Sequence, residues 1–280
     1  MFCSDATADA GEPLLGSASR GHRHVLLSQP KGAWAEKALQ APALRPIAHW
    51  AAEFDRNQVG KTVVRLFAPP EGFEGVEIRL FPLGRRVRVA SFEHVPDTLD
   101  RVLKEETSAS PADPCPRTLA VCTHGKHDRC CAKHGQALFT ALRDLAREAA
   151  FDVVESTHLG GHRFAGTCLD LRPDSPGRMY GRLQREEALP LFRHLADERV
   201  WLARYRGRCD LDSGGQIAEA QALALGARGW VSVEALEDAQ WQARWEGGET
   251  VARLEKTSFT SPGACGDVPT ARTRFVLAKA

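Results

Sequence analysis

Four side chains in the second half of the chain have the types and spacing of metal ligands. Cys122 and Cys131 enclose eight residues, THGKHDRC, and His158 and His162 enclose three, LGG. Thiolate sulfur and neutral imidazole suit zinc and iron, whereas calcium and magnesium take oxygen. Zinc accepts two cysteines with two histidines, and the histidine spacing fits. The cysteine spacing is wider than the roughly two to four residues usual in zinc fingers. A wide first loop better matches a larger guest, a diiron disulfide cluster in which each ligand pair serves its own iron. Two imidazoles in place of two thiolates on one iron is the Rieske arrangement. Spacing alone leaves both a 2Fe-2S cluster and a zinc ion open.

The pattern around these residues predicts how they are positioned. RTLAVCT (117–123) reads as a strand running into Cys122, and residues 130–150 read as an amphipathic helix with Leu138, Leu142 and Leu145 on one face. FDVVEST (151–157) reads as a second strand that delivers His158. Ends of adjacent strands lie side by side, so the two loops can converge. Gly160 and Gly161 prevent a regular helix and let the backbone turn tightly between the histidines. Cys131, near a helix N-terminus, gains thiolate stabilisation from the helix dipole.

Further strands are predicted at 167–171 and 177–183, followed by a helix over 186–202. The first ~105 residues carry a similar order. HVLLSQP (24–30) reads as a strand, 33–57 as a helix interrupted at Pro42 and Pro46, then come three β-rich segments and a short helix after Pro96. Residues 107–116, TSASPADPCP, read as a linker. The expected fold is therefore α/β with tandem thioredoxin-like domains: 1–106, then 117–206 carrying the metal ligands, and an α+β extension at 207–280.

Composition narrows the function classes. A chain of 280 residues, 43% apolar, is long enough to bury a core without disulfide staples. Its 37 basic and 36 acidic residues leave a net charge of +1, which gives no support for nucleic acid or an anionic membrane as partner. No apolar run reaches the ~18 residues of a spanning helix, and the N-terminus lacks the signal-peptide pattern. A cytoplasmic location is expected, where clustered cysteines among the eight in the chain point to metal or redox chemistry.

CTHGKHDRCCAKHG followed by ESTHLGGHRFAG resembles the paired signature of the sucrase/ferredoxin-like family of thioredoxin-like ferredoxins. Cys3-Ser4, Glu12-Pro13-Leu14 and LLSQP (26–30) resemble that family's start. The resemblance implies a 2Fe-2S cluster held by Cys122, Cys131, His158 and His162, with the choice of Cys131 over the adjacent Cys130 resting on the family register. It further implies electron transfer with redox partner proteins, a reductase as donor and an unnamed acceptor, rather than stand-alone catalysis. Two thiolates and two neutral imidazoles leave an oxidised diferric core uncharged, where four thiolates would make it dianionic. Such ligation raises the potential to roughly −150 to +300 mV, against about −400 mV for plant-type ferredoxins. Imidazole ligands can also couple electron uptake to protonation near neutral pH.

Other residues near the motif have plainer expected roles. Cys130 is expected as buried packing, and Cys3, Cys115, Cys168, Cys209 and Cys265 as small apolar residues. His124, His127 and His134 are expected as solvent-exposed polar residues. Lys126, Arg129, Lys133 and Arg163 form either a solvated loop or a basic rim for an acidic partner. Thr123, Ser156 and Thr157 either donate to cluster sulfur or close strand-end turns. Two alternative functions remain: a zinc-stabilised thioredoxin-like binding module, and a redox sensor using the vicinal thiols Cys130 and Cys131. No C-x-x-C is present around Cys122 or Cys130, because Gly125 and Lys133 stand three residues on.

Overall fold

The computed structural model describes residues 2–57, 60–104, 113–148 and 151–278. A short helix α1 (Cys3–Asp9) leads into β1 (Arg23–Ser28), α2 (Arg45–Asn57), β2 (Thr62–Phe67), β3 (Val76–Phe81), β4 (Arg85–Val89) and α3 (Val95–Lys104). A two-residue strand β5 (Asp113–Pro114) precedes β6 (Arg117–Cys122), α4 (Arg129–Leu145), β7 (Phe151–Ser156), β8 (Cys168–Arg172), β9 (Ser175–Tyr180) and α5 (Ala188–Ala196). Then follow β10 (Tyr205–Arg208), α6 (Ser213–Ala224), β11 (Ser232–Ala235), β12 (Gln240–Trp245), β13 (Gly248–Ser261) and β14 (Thr270–Leu277).

The predicted strands lie within a few residues of those observed, because each is a short apolar or alternating run closed by Gly or Pro. The helix expected over 33–57 is confined to Arg45–Asn57, and Pro46 opens it rather than interrupting it. Residues 31–44 form three single 3-10 turns, and the α-helix starts at Arg45 with Pro46 in its first turn, where the missing N–H costs nothing.

The first ten strands form one sheet, in the order β10-β9-β8-β6-β7-β2-β1-β3-β4-β5. Within it each half repeats one pattern. β1 and β2 are parallel, with β3 antiparallel to β1 and β4 antiparallel to β3. β6 and β7 are parallel, with β8 antiparallel to β6 and β9 antiparallel to β8. The halves meet where β2 and β7 pair at Phe67 and Ser156, helped by Thr157 N–H to Leu66 O at 2.9 Å and Ala68 N–H to Glu155 O at 3.0 Å. The sheet is thus continuous across the expected boundary. Of the expected linker at 107–116, residues 107–112 lie outside the described residues, and Asp113 and Pro114 pair with β4.

Sequence reading missed β10, Tyr-Arg-Gly-Arg, because two arginines disguise a buried strand. Arg206 is 1% exposed and donates to Ser17 O at 2.6 Å and Gly160 O at 2.9 Å. Arg208, equally buried, reaches Asp210 at 2.7 Å and Val231 O at 2.8 Å. Buried charge is tolerated only when paired in this way.

The C-terminal strands form a separate four-stranded meander, β11-β12-β13-β14. Helix α6, small and apolar on most sides, lies between β10 and this second sheet. Ile217, Ala218 and Ala222 pack there on Val231, Ala243, Ala252 and Leu254. The long β13 carries the chain back toward the N-terminus, where Glu12 is fully buried and accepts from Arg163 at 2.9 Å and Arg274 at 2.8 Å. Burial alone would raise the Glu12 carboxyl, but hydrogen bonds from Arg274 and Arg163 outweigh it and hold it below the usual range. Among the described residues no helix is long and apolar enough to cross a membrane.

Candidate metal centre

The parallel pairing of β6 with β7 sets Cys122 opposite Ser156. Both metal-ligand loops therefore leave the same end of the sheet. Beyond Cys122 the chain turns through His124–His127 and enters α4. The carboxylate of Asp128 caps this helix by accepting from the Cys130 N–H at 2.8 Å, a contact worth about 1 kcal/mol. The first turn of α4 presents Cys131 toward Cys122 because Gly135 lets the helix lie against the strand end. A Cβ at position 135 would stand 1.8 Å from the Cys122 carbonyl oxygen.

The second loop depends on its two glycines. Gly160 and Gly161 have φ of 95° and 75°, the left-handed region that disfavours a Cβ. A Cβ at Gly160 would meet Ser19 Oγ at 2.0 Å, and one at Gly161 would meet the Arg206 guanidinium at 2.7 Å. Arg206 anchors the turn through the Gly160 carbonyl. His162 then opens a 3-10 turn ending at Phe164, against which α1 packs.

Cys122, Cys131 and His158 offer ligand atoms within 4.8 Å of one another, as do His127, His158 and His162. The His158 Nδ1 lies 4.0 Å from Cys122 Sγ and 3.7 Å from Cys131 Sγ. The rings of His158 and His162 are 5.3 Å apart at their centroids. His158 is the hinge of the arrangement, shared between a sulfur side and an imidazole side. Both thiols are buried and all three imidazoles of the second group are half-buried, so the imidazole side lies nearer to solvent.

Protonation states follow from the partners. The Cys122 sulfur is held well below the ordinary thiol range by the hydrogen bond from Cys131, against the opposing effect of burial. Cys131, the donor of that bond, is raised correspondingly. Of the two, Cys122 is therefore the one favoured as thiolate. His162 Nε2 lies 2.6 Å from the Gly263 carbonyl. A carbonyl only accepts, so Nε2 carries the proton and Nδ1 presents its lone pair. That Nδ1 is buried and makes no hydrogen bond, which is costly unless a ligand completes it.

Three expectations for neighbouring residues are corrected. His124 is 2% exposed rather than solvated. Its Nε2–H donates to Ala35 O at 2.9 Å while its Nδ1 accepts from the His158 N–H at 3.3 Å, so both nitrogens are occupied in bracing the second loop. Burial lowers its pKa and keeps it neutral. His127 stacks on His158 at 3.9 Å and donates from Nδ1 to Glu36 O. Burial first, then the charge of His158, lowers its pKa. His134 is half-buried beside Ser4 Oγ at 3.2 Å.

The three hydroxyls near the loops close strand ends and reach no sulfur. Thr123 donates to Glu155 at 2.7 Å, Ser156 to Thr157 O at 3.1 Å and Thr157 to Leu66 O at 3.4 Å. Most cations of the expected rim have internal partners: Lys126 bonds Gly32 O at 2.9 Å, Lys133 lies 3.7 Å from Asp5, and Arg163 pairs with Glu12. Cys115, Cys168 and Cys209 are buried core thiols as expected, with burial pushing Cys115 up to about 11 and Cys209 to about 12. Cys3, Cys130 and Cys265 are not simple packing residues, because their sulfurs converge with Asp128 in a separate group. Cys130 and Cys131 therefore belong to different side-chain groups despite being adjacent.

Cys122 and Cys131 meet His158 in one group, and His162 meets His158 and His127 in another without joining the sulfurs. Two sulfurs and two imidazoles, one of them with a bare, buried Nδ1, are donor types that suit a soft transition metal or an iron–sulfur centre. No curated protein and no solved structure matches the chain. The model of the Sucrase/ferredoxin-like family matches residues 14–207, which include Cys122, Cys131, His158 and His162. The chain belongs to the sucrase/ferredoxin-like family.

Proposed function

We propose that the protein is a one-electron carrier in which Cys122, Cys131, His158 and His162 hold a 2Fe-2S cluster. The observation that carries this reading is that Cys122 and Cys131 meet His158, which also meets His162, whose buried Nδ1 has no hydrogen-bond partner. When bound, the cluster supplies a site for one reversible electron. The protein's residues do the rest. Cys122 and Cys131 are buried while His158 and His162 are only half-buried, so exchange with a partner takes place on the imidazole side. The Gly263 carbonyl fixes the tautomer and ring plane of His162. The His124 strut and the stacked His127 ring fix His158.

In this reading each half is a thioredoxin-like unit, supported by the shared strand order, and the second is the ferredoxin. A reductase donor, a protein acceptor and a cytoplasmic setting belong to the same proposal.

A second reading is favoured by one observation: Cys122, Cys131 and His158 already form a compact three-donor group, which a tetrahedral zinc ion could complete. Elemental and sulfide analysis of the anaerobically purified chain separates the two. About two iron and two sulfide per chain, with brown colour and a midpoint potential that falls as pH rises, is the expected result. Colourless protein with zinc at these ligands overturns it.

A further inference from the structure

Cys3, Asp128, Cys130 and Cys265 come from three distant stretches of chain. Cys3 lies on α1, Asp128 and Cys130 at the start of α4, and Cys265 in the turn between β13 and β14. Their ligand atoms all lie within 4.8 Å of one another. The sulfurs form a nearly regular triangle: Cys3 to Cys130 is 3.4 Å, Cys130 to Cys265 is 3.2 Å and Cys265 to Cys3 is 3.6 Å. Asp128 stands 4.0 Å from Cys3 Sγ.

We propose that Cys3, Cys130, Cys265 and Asp128 form a structural zinc site, distinct from the Cys122 centre. Three lines of geometry support zinc. Zn–S bonds of about 2.3 Å in a tetrahedron place sulfurs about 3.8 Å apart, so the triangle need open by only a few tenths of an ångström. A disulfide needs about 2.05 Å, would join only two of three equivalent sulfurs, and would leave the third buried without purpose. Three sulfurs with one carboxylate also suit zinc better than an oxygen-seeking cation.

The surroundings are arranged for anionic sulfur. The Cys3 N–H points to Cys265 Sγ at 3.4 Å and Ser4 Oγ–H to Cys130 Sγ at 3.3 Å. Asp128 is oriented by the N–H groups of Cys130 at 2.8 Å and Cys265 at 3.1 Å, with lone pairs left for a cation. The N-terminus of α4 adds its positive end. Binding is a proton exchange without redox change: zinc displaces one proton from each thiol to solvent.

Neither Cys3 nor Cys265 falls within the residues matched by the family, 14–207. The site therefore ties elements outside the shared domain, the N-terminal helix and the C-terminal hairpin, onto α4. Cys265 lies two residues from Gly263, the carbonyl that orients His162. The inference stands whether that centre carries iron or zinc.

The test uses the purified full chain. Elemental analysis should find zinc near one per chain beyond any metal at Cys122, and zinc X-ray absorption should show a shell of mainly sulfur with oxygen. Cys265→Ser and Cys3→Ser should each lose that zinc and leave the iron content within about a fifth of the parent. Zinc-free parent protein, with these thiols free or joined as a disulfide in peptide mass spectra, overturns the proposal. So does about one zinc per chain in a shell of two sulfurs and two nitrogens, or a parent zinc content that neither variant lowers.

Discussion

His162 Nε2 lies 2.6 Å from the carbonyl oxygen of Gly263, a residue 101 positions further along the chain. This single bond sets the ring's tautomer and leaves Nδ1 as the only lone pair His162 can offer a metal. The partner is a main-chain group, so the contact depends on the path of the β13–β14 turn rather than on any side chain. The turn between β13 and β14 therefore helps to orient a proposed centre whose proposed ligands all lie before residue 163.

His162→Cys should keep a cluster and lower its midpoint potential by on the order of 100 mV, because a thiolate adds negative charge where a neutral imidazole stood. His162→Ala should lose most of its iron. Potentiometry followed by visible absorption reads both. A parent-like potential in the cysteine variant means that His162 is not a ligand, and His127 would then be the next candidate.

Gly135→Ala weighs two effects of opposite sign. Alanine gains about 0.8–1.0 kcal/mol of helix propensity over glycine. Its Cβ would stand 1.8 Å from the Cys122 carbonyl oxygen, so α4 must move off the end of β6. Overpacking of this kind costs about 1–3 kcal/mol and separates Cys131 from Cys122. Net destabilisation in denaturant titration and a lower metal content are expected. A variant more stable than the parent with full metal would show that α4 does not depend on this close approach.

His24 gives the stability a pH dependence. It is 1% exposed, and its Nδ1 lies 3.0 Å from Arg65, so burial, reinforced by that guanidinium, depresses its pKa to about 3. The unfolded chain, near 6.5, takes the proton first. The His24 contribution is therefore complete above about pH 6.5 and declines as pH falls toward about 3. Between pH 8 and pH 5 the parent should lose about 2 kcal/mol more than His24→Asn, which cannot titrate. Chemical denaturation at the two pH values measures this, and parallel losses in both proteins would mean that His24 is protonated in the fold.

Much of the candidate site was legible because its parts are local. Cys122 ends an apolar strand, Cys131 starts a helix, and the Gly-Gly turn between His158 and His162 has a spacing readable without coordinates. The expectation that the two strand ends lie side by side is met by the parallel pairing of β6 and β7, which sets Cys122 opposite Ser156. The roles of His124, Cys3, Cys130 and Cys265 could not be read this way. A histidine in a polar loop looks solvated until Ala35 and His158 are found against it. Cysteines at positions 3 and 265 look like isolated apolar residues until the fold closes the loop between them. The sequence by itself determined which donors each local turn presents, because spacing and backbone preference act over a few residues. Only the tertiary structure decided which distant donors meet and which imidazole nitrogen stays bare, because those depend on contacts made when the N-terminal helix and the C-terminal sheet pack onto α4.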